Sequence, residues 1–474
     1  MRTAPRPSTP RADAPAAAVL AAFCAGLSWE AVPAAARERT AELVLDLVGV
    51  ASRGSAATSS RAAQSVVAAQ PAGAATVVGG TRLAGRAVRS SAAWAALANG
   101  TSAHATEMDD VTTESSLHPG VAVVPAALAL AQERGASGRA LLEAVVCGYE
   151  VTIRVGNALG AASAYARGFH PTGVAGVFGA AAAAAKLLGL DAAATANAIG
   201  IAGTMASGSL EYLAGGAWTK RLNPGWAAHG GIVAASLAAA GFTGPATAIE
   251  GEHGLLRGYT DAPLPERLTE GLSLDDLQVL HVSIKPYGCC RYCHGIIDAV
   301  LALRAEHRLD PADVASMRVG VLSGGWSLIA DPPERVREPR NVVDAQFSAP
   351  YAAAVALARG RAGLAEFSDE TLRDPTIRGL TARAECYRDA SLDAPYPRQW
   401  PAAVEIRLRD GRVVSRRIEH ALGEPENPVP RDALVARFVE MVADRLAEND
   451  ARALAEGILT LACAPDLALL DALA

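Results

Sequence analysis

Apolar residues recur at helical spacing through most of the first 270 positions, in runs built largely from Ala, Leu and Val. The segments 20–27, 37–51, 90–98, 121–134, 139–159, 174–190, 192–205 and 226–240 predict successive helices, with Gly or Asn near many of their ends. Gly and Ala recur so often inside them that neighbouring helix axes are expected to approach closely. Around residue 275 the pattern changes. The stretches 280–285, 316–322 and 403–408 alternate as strands do, and 403–418 reads as a hairpin turned at Asp410-Gly411. Helices are expected among them at 295–308 and 349–359, and helical spacing returns at 431–447 and 451–463, after the prolines from Pro425 to Pro430. No fixed-period repeat is visible. The expected fold is mainly α with an α+β second domain. Both chain ends, 1–275 and 421–474, form a large all-helical domain, and 276–420 forms the smaller α+β domain.

Composition narrows the classes. A chain of 474 residues suits two domains with ample core, and 51% hydrophobic but only 5% aromatic residues suit closely packed helices. A net charge of −6 without a basic block argues against nucleic acid and against an anionic membrane surface. No window is apolar enough, free of Gly and charge, to predict a membrane span. Arg2, Arg6 and Arg11 ahead of an apolar run imitate an export leader, but Asp13 abuts the run and Trp29-Glu30 leads straight into a second helix, so no leader is expected. The seven cysteines are odd in number and scattered except at 289, 290 and 293, which fits a reducing, cytoplasmic setting. Cys290-x-x-Cys293-His294 has the spacing of covalent haem attachment, yet that chemistry follows export; a zinc site needs a second pair, which Cys24, Cys147, Cys386 and Cys463 do not form. No cofactor and no metal are expected.

Three lysines stand against forty arginines: Lys186, Lys220 and Lys285. Where arginine serves as the ordinary surface cation, the remaining lysines are candidates for a compact ammonium that arginine cannot replace. Lys186 reads as the last turn of a helix and is assigned to structure. Lys220 and Lys285 sit in Gly/Pro-punctuated segments. His118 and His170 are each followed by Pro and an apolar helical run, which places each imidazole at or just before a helix N-terminus. There the dipole favours an anion and depresses the imidazole toward its neutral base form. In Asn99-Gly-Thr-Ser-Ala-His104-Ala-Thr-Glu107-Met-Asp109-Asp110, a helix would put His104, Glu107 and Asp110 on one face. These carboxylates could orient a histidine or hold a hard metal ion, and orientation is the simpler reading.

This constellation resembles the MmgE/PrpD family over nearly the whole chain. The matching stretches are Asn99 through Asp110, His118-Pro-Gly120, Gly168-Phe-His170-Pro-Thr, Lys220-Arg-Leu-Asn-Pro-Gly225, Gly241 through Pro245, Lys285-Pro-Tyr287 through His294, and Gln346 through Tyr351. The resemblance implies a helical domain made from both chain ends, an α+β lid, a homodimer, and a small-molecule carboxylic acid substrate handled without a cofactor. It places substrate-binding or acid/base residues at Glu107, His118, His170, Lys220 and Lys285, with the segment from Cys290 to His294 lining the same cleft; Asp109 joins them as a catalytic candidate, and His104, Asp110 and Tyr287 as candidate substrate contacts. One departure is Val111, where many relatives carry Thr after the Asp-Asp pair.

The expected chemistry is proton movement next to a carboxylate. The lysines would hold substrate carboxylates and the developing enediolate charge, one histidine would be the base, and an acidic neighbour would orient it. Loss of hydroxide gives a 2-methylcitrate dehydratase-like hydro-lyase, the favoured reading. Return of the proton to the other face gives an epimerase of the iminodisuccinate type, and loss of CO₂ a cis-aconitate-type decarboxylase. A non-catalytic carboxylate binder is the alternative of a different class.

Overall fold

A computed structural model describes residues 14–80 and 88–474. Arg2, Arg6, Arg11 and Asp13, on which the leader question turns, lie outside the described residues. The chain divides into two compact units. The first comprises the described part of Met1–Ala105 with Asp109–Val282 and Pro430–Ala474; the second comprises Thr106–Met108 and Ser283–Val429. The excursion at 106–108, three residues long, had no signal in the sequence.

The first unit is helical: α1 Ala16–Gly26, α2 Ala34–Gly54, α3 Thr58–Ala68, α4 Ala92–Ala103, α5 Gly120–Arg134, α6 Gly138–Leu159, α7 Pro171–Leu187, α8 Ala192–Ala202 and α9 Thr219–Ala239. The chain later returns to it with α12 Arg431–Val442 and α13 Glu448–Leu459. Every residue of α7 from Pro171 to Ala185 is buried, as is α5 from Gly120 to Ala131. A helix apolar on all sides belongs inside, so α5 and α7 form the centre, with α4, α6 and α9 packed against them. The close approach expected from Gly and Ala is present. A Cβ added at Gly225 in α9 would lie 2.3 Å from Leu97 O in α4, and one at Gly179 in α7 would lie 2.3 Å from Gly148 O in α6. Lys186 donates to the carbonyls of Ala25 and Leu27 at the C-terminal end of α1, a structural role. No helix among the described residues is long and apolar enough to cross a membrane.

The second unit holds a four-stranded mixed sheet: β1 Val314–Val321, β2 Ala384–Arg388, β3 Ala402–Leu408 and β4 Val413–Ile418, in the order β2-β1-β3-β4. β1 runs parallel to β2 and antiparallel to β3, and the β3/β4 hairpin turns where predicted, with Gly411 at φ +93°. Helices α10 His294–His307 and α11 Ala349–Arg359 bury their apolar faces in the same core as the sheet.

Three expectations are corrected. Residues 280–285 are not a strand: a 3₁₀ turn covers Gln278–His281, and Val282 to Lys285 are all buried, so apolar character there reflects burial without a ladder. Helix α9 starts at Thr219, not at Trp226, because Pro224 near a helix start forfeits a single N–H and does not end the helix. The third is the His104–Glu107 helix. α4 stops at Ala103, and Glu107 takes a left-handed φ of +58°, rare for a side-chain-bearing residue. β2 and α3 were not anticipated.

Candidate active site

In the helical unit, the sequence from the end of α4 to the start of α5 brings two histidines onto one carboxylate. His104 Nδ1 lies 2.8 Å and His118 Nδ1 2.9 Å from the same Oδ2 of Asp109. The backbone carbonyl of Asp110 also accepts from His118 Nδ1 at 2.7 Å. Acceptors facing Nδ1 require it to carry the proton, so both rings present Nε2 as the lone-pair nitrogen. His170 takes the opposite form. It caps α7, with Pro171 at the first helical position, and its Nδ1 faces the Asn223 amide of α9 at 3.1 Å. With that amide nitrogen donating, the His170 proton sits on Nε2. The three rings form one group, with His104 centred 5.0 Å from His118 and 5.6 Å from His170.

Burial, more than the helix field, governs their charge. Desolvation pushes the His104 imidazole below its usual value against the upward pull of Asp109. It pushes His170 well below, helped by His104 and by the ammonium of Lys220. Both rings are therefore neutral near pH 7. Lys220 stands in the first turn of α9 and bears on both rings electrostatically. Asp110, expected to touch substrate, is committed to structure. Its Oδ1 accepts from Gly120 N at 3.0 Å and its Oδ2 from the Tyr149 hydroxyl at 2.6 Å, which ties the start of α5 to α6. Burial pushes its carboxyl up to about 7, the two donors opposing the rise. Only glycine fits at position 120, since a Cβ there would lie 2.4 Å from the Tyr149 hydroxyl.

The α+β unit has its own polar group. Lys285 is 1% exposed; its Nζ donates to Glu107 O at 2.9 Å and lies 3.9 Å from Glu107 Oε2. A buried ammonium beside a carboxylate on a left-handed backbone is a constrained arrangement of the kind found at functional sites. The Gln346 side-chain amide holds the segment by donating to Gly288 O at 2.9 Å and Thr106 O at 3.2 Å, while the backbone carbonyl of Gln346 accepts from Cys290 N at 2.8 Å. Burial pushes the Cys290 thiol up to about 11, so it stays protonated at neutral pH. Tyr287 and His294, expected to contact substrate, face inward: the Tyr287 hydroxyl bonds to Asp298 of α10, and His294 Nε2 faces Cys289 O at 3.3 Å. Cys289, Cys290 and Cys293 lie in the hydrophobic core, and among the described residues none belongs to a group with metal-ligand geometry. The haem-like spacing is thus a core packing pattern.

Two groups do bring ligand atoms within 4.8 Å of one another: His104, Asp109 and His118, and His420, Glu424 and Glu426. Tetrahedral zinc ligands at ~2.0–2.1 Å from the ion stand about 3.3 Å apart. The 2.8 and 2.9 Å contacts to Asp109 Oδ2 are hydrogen-bond lengths instead.

Sequence reading missed Asn223, Tyr149 and Gln346. Asn223 and Gln346 sit inside stretches that carry the family resemblance, whereas Tyr149 looks like any helix residue.

Residues 18–267 match the MmgE/PrpD N-terminal domain and residues 287–462 the MmgE/PrpD C-terminal domain. The chain belongs to the MmgE/PrpD family. It is similar to the cis-aconitate decarboxylase-like protein oryM of Aspergillus oryzae, 27% identical over 470 residues and 93% of each chain. It is also similar to cis-aconitate decarboxylase of Aspergillus terreus, 28% identical over 464 residues, 93% of this chain and 91% of that one. The human cis-aconitate decarboxylase is 28% identical over 362 residues, 73% of this chain and 71% of its own.

Proposed function

We propose that this protein is a lyase that acts on a small di- or tricarboxylic acid without a cofactor, through proton transfer at the carbon next to a carboxylate. The observation that carries the reading is the Asp109 carboxylate holding His104 and His118 by their Nδ1 atoms, which leaves two oriented Nε2 bases beside the oppositely protonated His170. Of the two bases His118 is the more accessible, its side chain 12% exposed while His104 is fully buried, so His118 is assigned as the proton carrier. Asp109 is placed to pair with that ring once it holds a second proton. Lys220 is assigned to substrate carboxylate and to the enediolate charge. Lys285, with Glu107, is a second carboxylate-binding candidate, tested by itself below.

Loss of CO₂ is the outcome that the names of the relatives support. The bond to the departing carboxylate breaks, its electron pair passes into the conjugated acid, and His118, having taken up a proton from water on Nε2, delivers that proton to carbon. Elimination of water, favoured from sequence, needs the same groups with the proton moving first onto His118. Proton NMR in D₂O with cis-aconitate, 2-methylcitrate, citrate and iminodisuccinate tests both. New signals of a decarboxylated product from cis-aconitate support decarboxylation, and conversion of the 2-methylcitrate methyl doublet into a downfield allylic singlet supports dehydration. Deuterium exchange alone in iminodisuccinate would move the assignment to an epimerase, and no change with any acid counts against the lyase reading. The homodimer is proposed with it, and light scattering at twice the 48.5 kDa chain mass is the expected result.

A further inference from the structure

We infer that the α+β unit carries a second anion site, separate from the Lys285 group, whose ligand is a small phosphate-bearing molecule with at least two negative charges. A cavity of about 640 Å³ opens among three short segments of this unit. Arg337 and Arg340 line it from the stretch that follows Val336, Arg373 from the end of the helix Asp369–Leu372, and Arg378 from the helix Pro375–Ala382. Opposing these four cations are Glu338 and Asp369, so the wall carries a net charge of about +2 in a chain whose net charge is −6.

Some arginines of the unit are paired with carboxylates and others are not. Arg359, Arg361, Arg412, Arg416 and Arg417 each meet a carboxylate, and Arg340 reaches Asp344 at 3.2 Å. Among the described residues Arg337, Arg373 and Arg378 make no ion pair. Three unpaired guanidinium groups around one cavity concentrate positive potential there. Other polar groups of the wall are already used: Tyr351 donates its hydroxyl to Glu366 O at 2.9 Å and Thr381 to Ile377 O at 2.8 Å. What remains to bind a ligand is the set of guanidinium forks. A carboxylate is satisfied by one fork, whereas a phosphate offers three oxygens to several. The volume falls in the ~300–1,000 Å³ range of small-molecule sites and exceeds the need of a bare ion. Gly379 adds to the opening, since a Cβ there would meet only Arg383 Nη1 at 3.9 Å. No residue of the cavity wall belongs to the histidine group or the Lys285 group.

The test is calorimetric titration of the full chain with inorganic pyrophosphate at low ionic strength. Binding of one pyrophosphate per chain is expected, weakened about tenfold or more by Arg373→Gln and by Arg378→Gln, tightened by Asp369→Asn, and unaltered by Lys285→Arg. These arginine positions are exposed, and matching thermal melts of the variants show that the fold is kept. Cis-aconitate is expected not to displace pyrophosphate. Absence of binding, wild-type affinity in both arginine variants, or displacement by cis-aconitate would overturn the proposal. Because the readout is binding of a non-substrate, its failure leaves the lyase reading untouched.

Discussion

Asp109→Asn tests the organisation of the histidine group most directly. The carboxylate is fully buried and holds two ring nitrogens at 2.8 and 2.9 Å on one oxygen. The His104 bond is charge-assisted and contributes roughly 1.5–3 kcal/mol, whereas the His118 Nδ1–H is held chiefly by the Asp110 carbonyl at 2.7 Å. An asparagine carbonyl oxygen in the place of Oδ2 restores a neutral bond of about 1 kcal/mol, and because both rings face that one oxygen its amide nitrogen opposes neither Nδ1–H. The net loss of orienting free energy at His104 is about 0.5–2 kcal/mol, or ~2- to 30-fold in the population of its Nδ1–H form. His104 should then hold its proton on Nε2 in a measurable fraction of molecules. Long-range nitrogen–proton NMR of histidine-labelled protein reads the tautomers without a substrate. The wild type should show two Nδ1–H rings and one Nε2–H ring in the buried group, and the variant a change in at least one of the first two. Turnover of cis-aconitate, if decarboxylation is the reaction, should fall through kcat with KM little changed. Unchanged tautomers together with kcat within about threefold of wild type would refute the role given to Asp109.

Three further outcomes are expected. Asp110 has a folded pKa raised to about 7, so between about pH 4 and 7 the folded state holds a proton that the unfolded state has lost. Its contribution is therefore present at low pH and disappears as pH rises through 7; Asp110→Asn should gain stability relative to wild type over that window, by up to about 4 kcal/mol, and equal slopes in urea denaturation against pH would count against it. Gly120→Ala places a Cβ 2.4 Å from the Tyr149 hydroxyl and 2.7 Å from both Asp110 carboxylate oxygens, groups fixed by buried hydrogen bonds, and should cost about 1–3 kcal/mol in chemical denaturation; an unshifted midpoint would show that α5 can give way. Lys285→Arg keeps the charge but cannot fit a planar fork where a single ammonium bonds Glu107 O at 2.9 Å, so activity should drop at least about tenfold, and undiminished turnover ends the argument from scarce lysines.

Much of the molecule was legible in its sequence because helical and strand periods are local properties. The central helices, the 403–418 hairpin and the mainly α character with an α+β part follow from residue spacing, and the His-Pro pairs at helix starts follow from the geometry of proline. Local spacing misled where burial replaced pairing, as at 280–285, and where a proline near a helix start looked like an ending, as at Pro224. The scarcity of lysine and the histidine pairs also picked out Lys285 and His170, which the fold buries.

What the sequence could not decide were relations set by packing. His104 and Glu107, three residues apart, belong to different units because the chain leaves the helix after Ala103 and takes a left-handed turn at Glu107. Asp109 and Asp110 are adjacent and chemically alike, yet one orients two imidazoles while the other is committed to Tyr149 and Gly120. The tautomer of His170 depends on Asn223, 53 positions away. Residue types and their local geometry are written in the chain, whereas proton positions and charge states depend on which neighbours and how much water the tertiary structure leaves around each group.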